Sequence, residues 1–533
     1  MPLVASSTVR DGEHLARASR SADRAGVERL ARQVTAAPGR STQGSFSPFD
    51  GTLIGEVPTC TADDVIEAVD RARVAQRAWA GRPLVERCDI MLAYHDLVLD
   101  RQEQLLDIAQ AETGKARISA FEEVADVAMT ARYYANSAPK HLRPVRRQGA
   151  LPILTRTTEY HHPKGVVGII SPWNYPLTLA VSDAIPALLA GNGIVLKPDA
   201  QTPFTALVAV ELLREAGLPP ELFQVVTGAG RVLGTPMIDH VDFLMFTGST
   251  ATGRAIAEQC GRRLIGFSAE LGGKNPMVVL SDADLDKTVE GAVRAGFANS
   301  GQLCIAVERM YVEDRIYDRF VAAFVDRVRK IRLGAGHTWQ SEMGSLVSQE
   351  QFDAVSRHVD DAVAKGAKVL AGAKARPDLG PLFYEPTVLE RVTDDMALAR
   401  EETFGPVVAL YRVRDADDAV ARANDSCYGL NASVWSTPSH GADLATRIQA
   451  GTVNVNESYA AAWASHDAPM GGMKDSGAGR RHGREGILKY TESQTVAVQR
   501  GIPVGPIPGM SLEKYARLMT TSIKALKRVP FRR

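Results

Sequence analysis

Three segments of the chain carry residues whose types and spacing could do chemistry together. Residues 246–253 read FTGSTATG, with serine and threonine between two glycines. Glu270 precedes a Gly-Gly-Lys turn at 272–274, and Cys304 follows the small polar run 299–302. A turn that can meet phosphates, a carboxylate base and a thiol nucleophile are the groups that a thiol-dependent oxidation of an aldehyde requires.

Cys304 has two interpretations. Free cysteines are among the most buried residue types, so an isolated cysteine is more often structural than reactive. The approach Asn-Ser-Gly-Gln at 299–302 is small and polar, which indicates an accessible loop. A thiol nucleophile needs a group that takes up a proton or later activates water, and Glu270 is the available carboxylate.

The glycine turn at 246–253 follows a predicted strand and opens a predicted helix. Backbone N–H groups and the helix dipole at such a place can meet a pyrophosphate. The spacing is not GxGxxG, and most turns of this kind are only tight connections. The turn therefore indicates a phosphate site only in combination with the other two segments.

Alternating strands and helices must position these groups. Short apolar runs at 166–170, 194–196, 224–226 and 243–246 are separated by helical segments, which predicts an α/β fold with a doubly wound parallel sheet. In such sheets ligands bind beyond the carboxyl ends of the strands. Trp173, Asn174, Lys197, Gly248 and Ser249 follow those runs and are therefore candidate site residues.

The predicted organisation has several parts. Residues 1–45 form an N-terminal arm, 46–143 and 163–271 a dinucleotide-binding domain, and 272–490 an α/β catalytic domain. Residues 503–533 form a basic amphipathic tail. We expect the tail either to dock on the subunit or to associate weakly and reversibly with a membrane surface.

The composition excludes several classes of function. Sixty-two basic and 62 acidic residues leave no overall field that would favour nucleic acid. The five cysteines are scattered without a CxxC pair, which argues against a disulfide framework or a zinc site. Adjacent His161 and His162 on a strand point to opposite faces, so no metal is expected there. Without a signal peptide or an apolar run of membrane-spanning length, we expect a cytoplasmic protein.

Taken jointly, the motifs resemble those of the aldehyde dehydrogenase superfamily over residues 45–495. The matching segments, in chain order, are 171–176 (SPWNYP), 197–198 (KP), 246–250 (FTGST), 270–274 (ELGGK), 301–304 (GQLC), 401–406 (EETFGP), 451–456 (GTVNVN) and 469–477 (PMGGMKDSG). The resemblance implies a cofactor domain, a catalytic domain and a small β extension, here 144–162 with 491–502, that builds homodimers or homotetramers.

The resemblance also implies roles for the site residues. Cys304 would be the nucleophile, Asn174 would hold the oxyanion with the Cys304 N–H, and Glu270 would activate the water that hydrolyses a thioester. The residues expected to hold the cofactor are Trp173, Lys197, Ala200, Gly248, Ser249, Leu271, Glu402 and Phe404. Among these, Lys197 and Glu402 would bind ribose, Gly248 and Ser249 the pyrophosphate, and Phe404 would pack on the nicotinamide.

Two departures from the family pattern bear on cofactor and substrate. Members that use NAD commonly carry glutamate where this chain has Ala200, so NADP is expected, with Asp199 leaving NAD open. The chain is most similar to the actinobacterial second type of succinate-semialdehyde dehydrogenase, yet Ser182 and Ala298 replace two arginines of better-known relatives. Ser465, His466 or a basic residue that no motif marks is then expected to hold the substrate carboxylate.

The sequence is compatible with other functions. Broad oxidation of aliphatic, aromatic or amino aldehydes is the alternative for the substrate. A coenzyme-A-acylating relative would usually lack the glutamate at 270, and a non-catalytic relative would be expected to lose the glutamate or the cysteine at 304. Both residues are present, which favours a hydrolytic enzyme.

Overall fold

The computed structural model describes residues 24–151, 154–501 and 503–527. The main helices are Arg24–Ala31, Ala62–Ala80, Leu84–Asp100, Gln102–Thr113, Arg117–His141, Pro203–Glu215, Gly230–His240, Thr250–Arg263, Leu285–Phe297, Asp314–Val328, Gln349–Ala364, Ala416–Asn424, Pro438–Ala445 and Leu512–Leu526. Within these described residues no helix has the length and apolar character that crossing a membrane requires.

A six-stranded sheet occupies the first half of the chain. Its order is Gly477–Ala478, Gly266–Glu270, Phe243–Thr247, Val166–Ile170, Gly193–Lys197 and Phe223–Val225. The last five strands pair in parallel, and the first, from near the other end of the chain, pairs antiparallel. The central strands are buried on both faces, as their continuous apolar sequences require. The predicted doubly wound α/β fold is confirmed.

A seven-stranded sheet follows in the second half. Its order is Lys368–Ala371, Thr387–Glu390, Val407–Val413, Val307–Glu313, Asn275–Val279, Asn431–Trp435 and Thr452–Val455. Six strands are parallel, and the edge strand Lys368–Ala371 is antiparallel. The helices Leu285–Phe297 and Asp314–Val328 pack on it through the ring stack of Phe297, Phe320 and Phe324.

A small antiparallel sheet stands apart from these two. It joins Val145–Arg147, Thr155–Pro163 and Thr491–Gln499, with Pro163 opposite Thr491 at one end and Thr155 opposite Gln499 at the other. His161 and His162 alternate along its central strand, and the His162 imidazole lies 3.0 Å from Gln494 Oε1. The domain boundaries that the sequence suggests stay a prediction.

The terminal segments differ from each other in burial. Residues 1–23 of the predicted arm lie outside the described residues. The part from residue 24 on is not peripheral, because Val27, Leu30 and Val34 are buried in the main core and Thr35 N donates to the Val225 carbonyl (2.8 Å). By contrast, no residue of the tail helix Leu512–Leu526 is buried.

Candidate active site

Cys304 lies in a loop whose backbone is held in an unusual shape. The helix Leu285–Phe297 ends in a turn where Asn299, Ser300 and Gly301 have φ of 50°, 56° and 70°. Left-handed backbone of this kind is uncommon outside glycine and clusters at functional sites. The side chain of Cys304 is partly exposed while its neighbours Leu303 and Ile305 are buried, so the turn presents the thiol.

Side-chain amides hold the backbone of this loop. Asn275 Nδ2 donates to the carbonyls of Cys304 (2.8 Å) and Ala306 (2.7 Å). Asn174 Nδ2 and Asn299 Nδ2 both donate to the Gln302 carbonyl, at 3.1 and 2.9 Å. Since these amides are buried, the position of the thiol is set by residues from several parts of the chain.

Asn174 faces the same cavity as Cys304. It follows the strand Val166–Ile170 and is itself fixed through its backbone carbonyl, which accepts from Lys115 Nζ at 2.7 Å. The Lys115 ammonium pairs with the buried carboxylate of Glu123 and lies 4.1 Å from the ring centroid of Tyr175. An amide NH₂ has two N–H donors, so the bond to the Gln302 carbonyl leaves one for another acceptor.

Glu270 ends the strand Gly266–Glu270 with its side chain buried. Neither carboxylate oxygen has a hydrogen-bond partner among the residues that the structure describes. Burial raises the pKa of Glu270 to about 7, although the nearby cations Arg481 and Lys489 act in the opposite direction. A buried carboxylate with free lone pairs and a pKa near neutrality is suited to take a proton from water.

The thiol and two carboxylates influence one another. Burial raises the pKa of Cys304 to about 12, and the charges of Glu270 and Glu402 add to the effect. Burial also raises the pKa of Glu402 to about 8, with a further contribution from Glu308. The thiol is therefore protonated at rest, and a cation or a protonated carboxylate nearby would favour the thiolate.

Several residues predicted to hold a dinucleotide lie at the carboxyl-terminal edge of the six-stranded sheet, where its parallel strands end. Lys197 ends its strand, is buried, and donates to the Pro198 carbonyl at 2.9 Å. Gly248 follows the strand Phe243–Thr247, and a Cβ there would lie 2.6 Å from the ring of Phe246. Ser249 is exposed and caps the helix Thr250–Arg263, its Oγ accepting from the Thr252 N–H. A glycine cradle, an uncovered helix start and a buried amine fit a dinucleotide.

The other predicted cofactor residues lie around this edge. Glu402 Oε1 accepts from the Gly273 N–H at 2.7 Å. Phe404, with φ of 52°, makes an edge contact to Trp173 at 5.4 Å between ring centroids. The Leu271 N–H donates to the Ser476 carbonyl at 2.9 Å. Ala200 is partly exposed, and its carbonyl accepts from the side chain of Gln43 at 3.4 Å.

A cavity of about 200 Å³ opens beside Cys304 and Asn174. Its lining is largely apolar and aromatic, including Leu179 and Trp463. His466, one of the expected substrate ligands, is buried and lines the cavity. Ser465 does not line it, because its side chain is exposed and its hydroxyl donates to the Ala461 carbonyl at 2.7 Å.

Sequence reasoning missed a polar group in the cavity wall. Arg294 Nη2 lies 3.1 Å from Glu122 Oε1, and Arg294 Nη1 lies 3.3 Å from Glu457 Oε1. The Tyr459 hydroxyl donates to Glu122 at 3.0 Å. No motif marks these residues, because the helix Arg117–His141, the helix Leu285–Phe297 and the segment at 457–459 meet only in the folded chain.

Comparisons with known proteins agree with this geometry. A profile of the aldehyde dehydrogenase family matches residues 35–496. A protein of Mycolicibacterium smegmatis named "Putative succinate-semialdehyde dehydrogenase [NADP(+)]" is 57% identical over 91% of this chain and 94% of its own length. A protein of Mycobacterium tuberculosis that bears the same name followed by "2" is 53% identical over 93% of this chain and 96% of its own length.

Solved structures have the same fold. An NADP-dependent enzyme of E. coli superposes with a TM-score of 0.84 at 34% identity, covering 89% of this chain and 99% of that one. Betaine aldehyde dehydrogenase of Staphylococcus aureus with NAD⁺ superposes with a TM-score of 0.83 at 33% identity, covering 90% and 95%. From the geometry and these matches together, the chain belongs to the aldehyde dehydrogenase family.

Proposed function

We propose that the protein oxidises succinate semialdehyde to succinate with NADP, through a thioester on Cys304. The observation that carries this proposal is the buried carboxylate of Glu270, which has no hydrogen-bond partner among the described residues. Its charge acts on the thiol of Cys304, which shares a cavity with Asn174. The names of the most similar relatives support the substrate and the cofactor.

The first step is addition of the Cys304 sulfur to the aldehyde carbon. The C=O double bond becomes a C–O single bond, the thiol proton is released to solvent, and the oxygen takes the negative charge. The free N–H of Asn174 and the backbone N–H of Cys304 stabilise that oxyanion. Such a donor contributes about 3 kcal/mol to transition-state stabilisation. A bound nicotinamide supplies a hydride acceptor for the oxidation.

Hydrolysis of the resulting thioester requires Glu270. Its carboxylate takes a proton from water while the water oxygen attacks the acyl carbon, and the Cys304 sulfur leaves as thiolate. Burial keeps Glu270 free of competing hydrogen bonds among the described residues, so the water meets an available base. The carboxylic acid then leaves through the cavity.

NADP is proposed because no carboxylate stands at Ala200. The side chain at that position is partly exposed beside the strand that ends at Lys197. A glutamate there would repel a 2′-phosphate, whereas alanine leaves the phosphate to the Lys197 ammonium. NAD remains the second cofactor, as it is bound in the structure of the Staphylococcus aureus relative.

A second candidate substrate is an uncharged aliphatic or aromatic aldehyde. The largely apolar lining of the cavity favours an uncharged aldehyde. The positive charge of Arg294 is also already paired, with Glu122 and Glu457. His466, the other lining side chain that can carry a positive charge, lies beside the carboxylate of Asp126. A substrate carboxylate therefore needs a positive charge that these side chains do not supply by themselves.

Assembly and location are part of the proposal. We propose a homodimer or homotetramer built through Thr491–Gln499, an edge strand whose residues after Thr491 are exposed. Unpaired backbone at a sheet edge is where another chain can add. The free state of all five cysteines agrees with a cytoplasmic location.

Replacing Glu270 by glutamine should separate the two halves of the reaction. The base acts only when deprotonated, so with a pKa of about 7 the parent kcat should fall as pH drops below neutrality. In Glu270→Gln this acid limb should vanish and steady turnover should fall about 100-fold or more. Stopped-flow absorbance should still record a burst of reduced cofactor, which Cys304→Ala, as a control, should lack. Unchanged turnover in Glu270→Gln would refute the role.

Replacing Ala200 by glutamate should shift cofactor preference toward NAD. The introduced carboxylate repels the 2′-phosphate, so the ratio of kcat/KM for NADP to that for NAD should fall about tenfold or more. Ala200→Gln introduces a side chain of nearly the same volume as glutamate but without its charge, and serves as the matched control. If both variants shift the ratio equally, bulk and not charge is responsible, and the cofactor argument fails.

Comparing two aldehydes of equal carbon number should decide between the candidate substrates. Succinate semialdehyde should have a higher kcat/KM than butanal, its uncharged analogue, at saturating NADP. The same aldehydes with Cys304→Ala control for reaction without enzyme. A kcat/KM for butanal equal to or above that for succinate semialdehyde would select the uncharged class and leave the thioester mechanism intact.

Placing a charge on the exposed edge strand should break the assembly. Light scattering of the parent should give a mass two or four times the 57.5 kDa of one chain. Val498→Lys, on the edge strand, should lower the mass toward that of a single chain. Val363→Lys, at an exposed valine of the helix Gln349–Ala364, should not. A monomeric parent would contradict the proposed assembly.

A further inference from the structure

Three potential metal ligands are buried together at the wall of the substrate cavity. Asp126, His466 and His482 each offer one ligand atom, and these atoms lie within 4.8 Å of one another. All three side chains are buried, and Asp126 and His466 line the cavity that contains Cys304. They come from the helix Arg117–His141 and from two places near the end of the catalytic half, so only the fold brings them together.

The hydrogen bonds of His466 fix its tautomer. His466 Nδ1 lies 2.9 Å from the Ala464 carbonyl, and because a carbonyl only accepts, Nδ1 carries a proton. In the neutral imidazole, Nε2 then presents a lone pair, which faces Asp126 Oδ1 at 3.5 Å. The other Asp126 oxygen is occupied, since Oδ2 accepts from Ser182 Oγ at 2.7 Å. A neutral His466 would thus set two lone pairs against each other, a repulsion that a proton on Nε2 or a metal ion between the two atoms relieves.

The spacing of the two ligand atoms leaves room for a metal ion. A proton shared between imidazolium and carboxylate would draw the two atoms to about 2.8 Å. Two ligands of a tetrahedral zinc ion, each about 2.1 Å from the metal, stand roughly 3.4 Å apart. The observed 3.5 Å agrees with the second distance. Asp126 Oδ1, His466 Nε2 and His482 Nδ1 also have no hydrogen-bond partner within the described part of the chain.

The third ligand is held in a strained conformation. The backbone of His482 has φ 60° and ψ 171°, a combination that is found almost only in glycine. Its ring makes an edge contact to Trp463 at 5.5 Å between centroids and lies 4.8 Å from the ring of His466. Backbone strain of this kind is common at functional sites, which suggests that the position of the His482 side chain has a function.

We propose that Asp126, His466 and His482 bind a divalent transition-metal ion of the Zn²⁺ class. Two imidazoles and one carboxylate are ligands that zinc prefers, and three protein ligands leave a fourth position open. Ser182 and the Ala464 carbonyl fix the outer atoms of two ligands, as the surroundings of metal sites commonly do. Since Asp126 and His466 also line the cavity, a fourth position directed toward it would meet the substrate.

The ion would also supply the positive charge that the cavity lacks. A divalent ion beside the single charge of Asp126 leaves a net positive site, whereas Arg294 is paired with Glu122 and Glu457. A carboxylate oxygen of the substrate can occupy the open position and complete a four-coordinate site. This part of the inference rests on the proposed function, while metal binding itself does not.

Metal content tests the site directly. The full chain carrying Cys304→Ser, which excludes binding at the thiol, is treated with a chelator, incubated with Zn²⁺, desalted and measured by plasma mass spectrometry. It should retain about one zinc per chain. With Co²⁺, the visible absorption should be that of four-coordinate cobalt without a thiolate band.

Three variants in the same background locate the ion. His482→Gly removes the imidazole and places at φ 60° a residue that tolerates it, so folding, checked by thermal melting, should survive. Asp126→Asn removes the charge at nearly constant volume. Both should bind zinc at least about tenfold more weakly. His440→Asn, at an exposed His–Asp pair with Asp282, is the matched control and should bind as the parent does. No retained zinc, or equal retention in folded His482→Gly, would overturn the site.

The role of the ion in substrate binding needs a separate measurement. With Cys304 restored, Zn²⁺ should raise the ratio of kcat/KM for succinate semialdehyde to that for butanal, and His482→Gly should remove this effect. Taking the ratio cancels any inhibition of the thiol by zinc. An unchanged ratio would overturn the carboxylate role. If neither aldehyde is oxidised, the proposed function fails, while the metal content still decides the site.

Discussion

The crossing from Glu270 to Asn275 is the constraint on which the site depends. Glu270 ends a strand of the six-stranded sheet, and Asn275 begins a central strand of the seven-stranded one. Between them a Cβ on Gly272 would collide with Glu402, and one on Gly273 would lie 2.8 Å from the Cys304 carbonyl. One short segment thus contains the base, the two glycines that allow close contacts, and the Asn275 amide that holds the loop of Cys304.

The ends of this crossing are fixed by distant parts of the chain. Gly477 pairs antiparallel with Glu270, and the Ser476 carbonyl accepts from the Leu271 N–H. On the other side, Asn275 Oδ1 accepts from the Asn431 N–H at 3.0 Å while its Nδ2 holds the loop of Cys304. Because buried polar groups must find partners, these bonds specify one relative position of base and thiol.

The reacting groups are held in unfavourable surroundings. Glu270 is buried without a hydrogen-bond partner in the described residues, and its charge opposes ionisation of Cys304. A carboxylate whose pKa is near 7 and a thiol that stays protonated are only weakly reactive by themselves. Each becomes more reactive when a ligand changes the local charge. The neighbouring Asp126 and His466 are likewise buried together, and the Asp126 Oδ1 and His466 Nε2 atoms have no hydrogen-bond partner in the described residues.

The sequence by itself determined the family, the alternating strands and helices, and the residues that follow the strands, because these depend on local apolar runs and on contiguous motifs. Only the tertiary structure decided that Ser465 points away from the cavity while His466 lines it, since neighbouring residues differ in direction with the local backbone. The Arg294–Glu122 pair and the Asp126–His466–His482 group likewise have no sequence signal. Their members are distant in the chain, and only packing of separate elements brings them into contact.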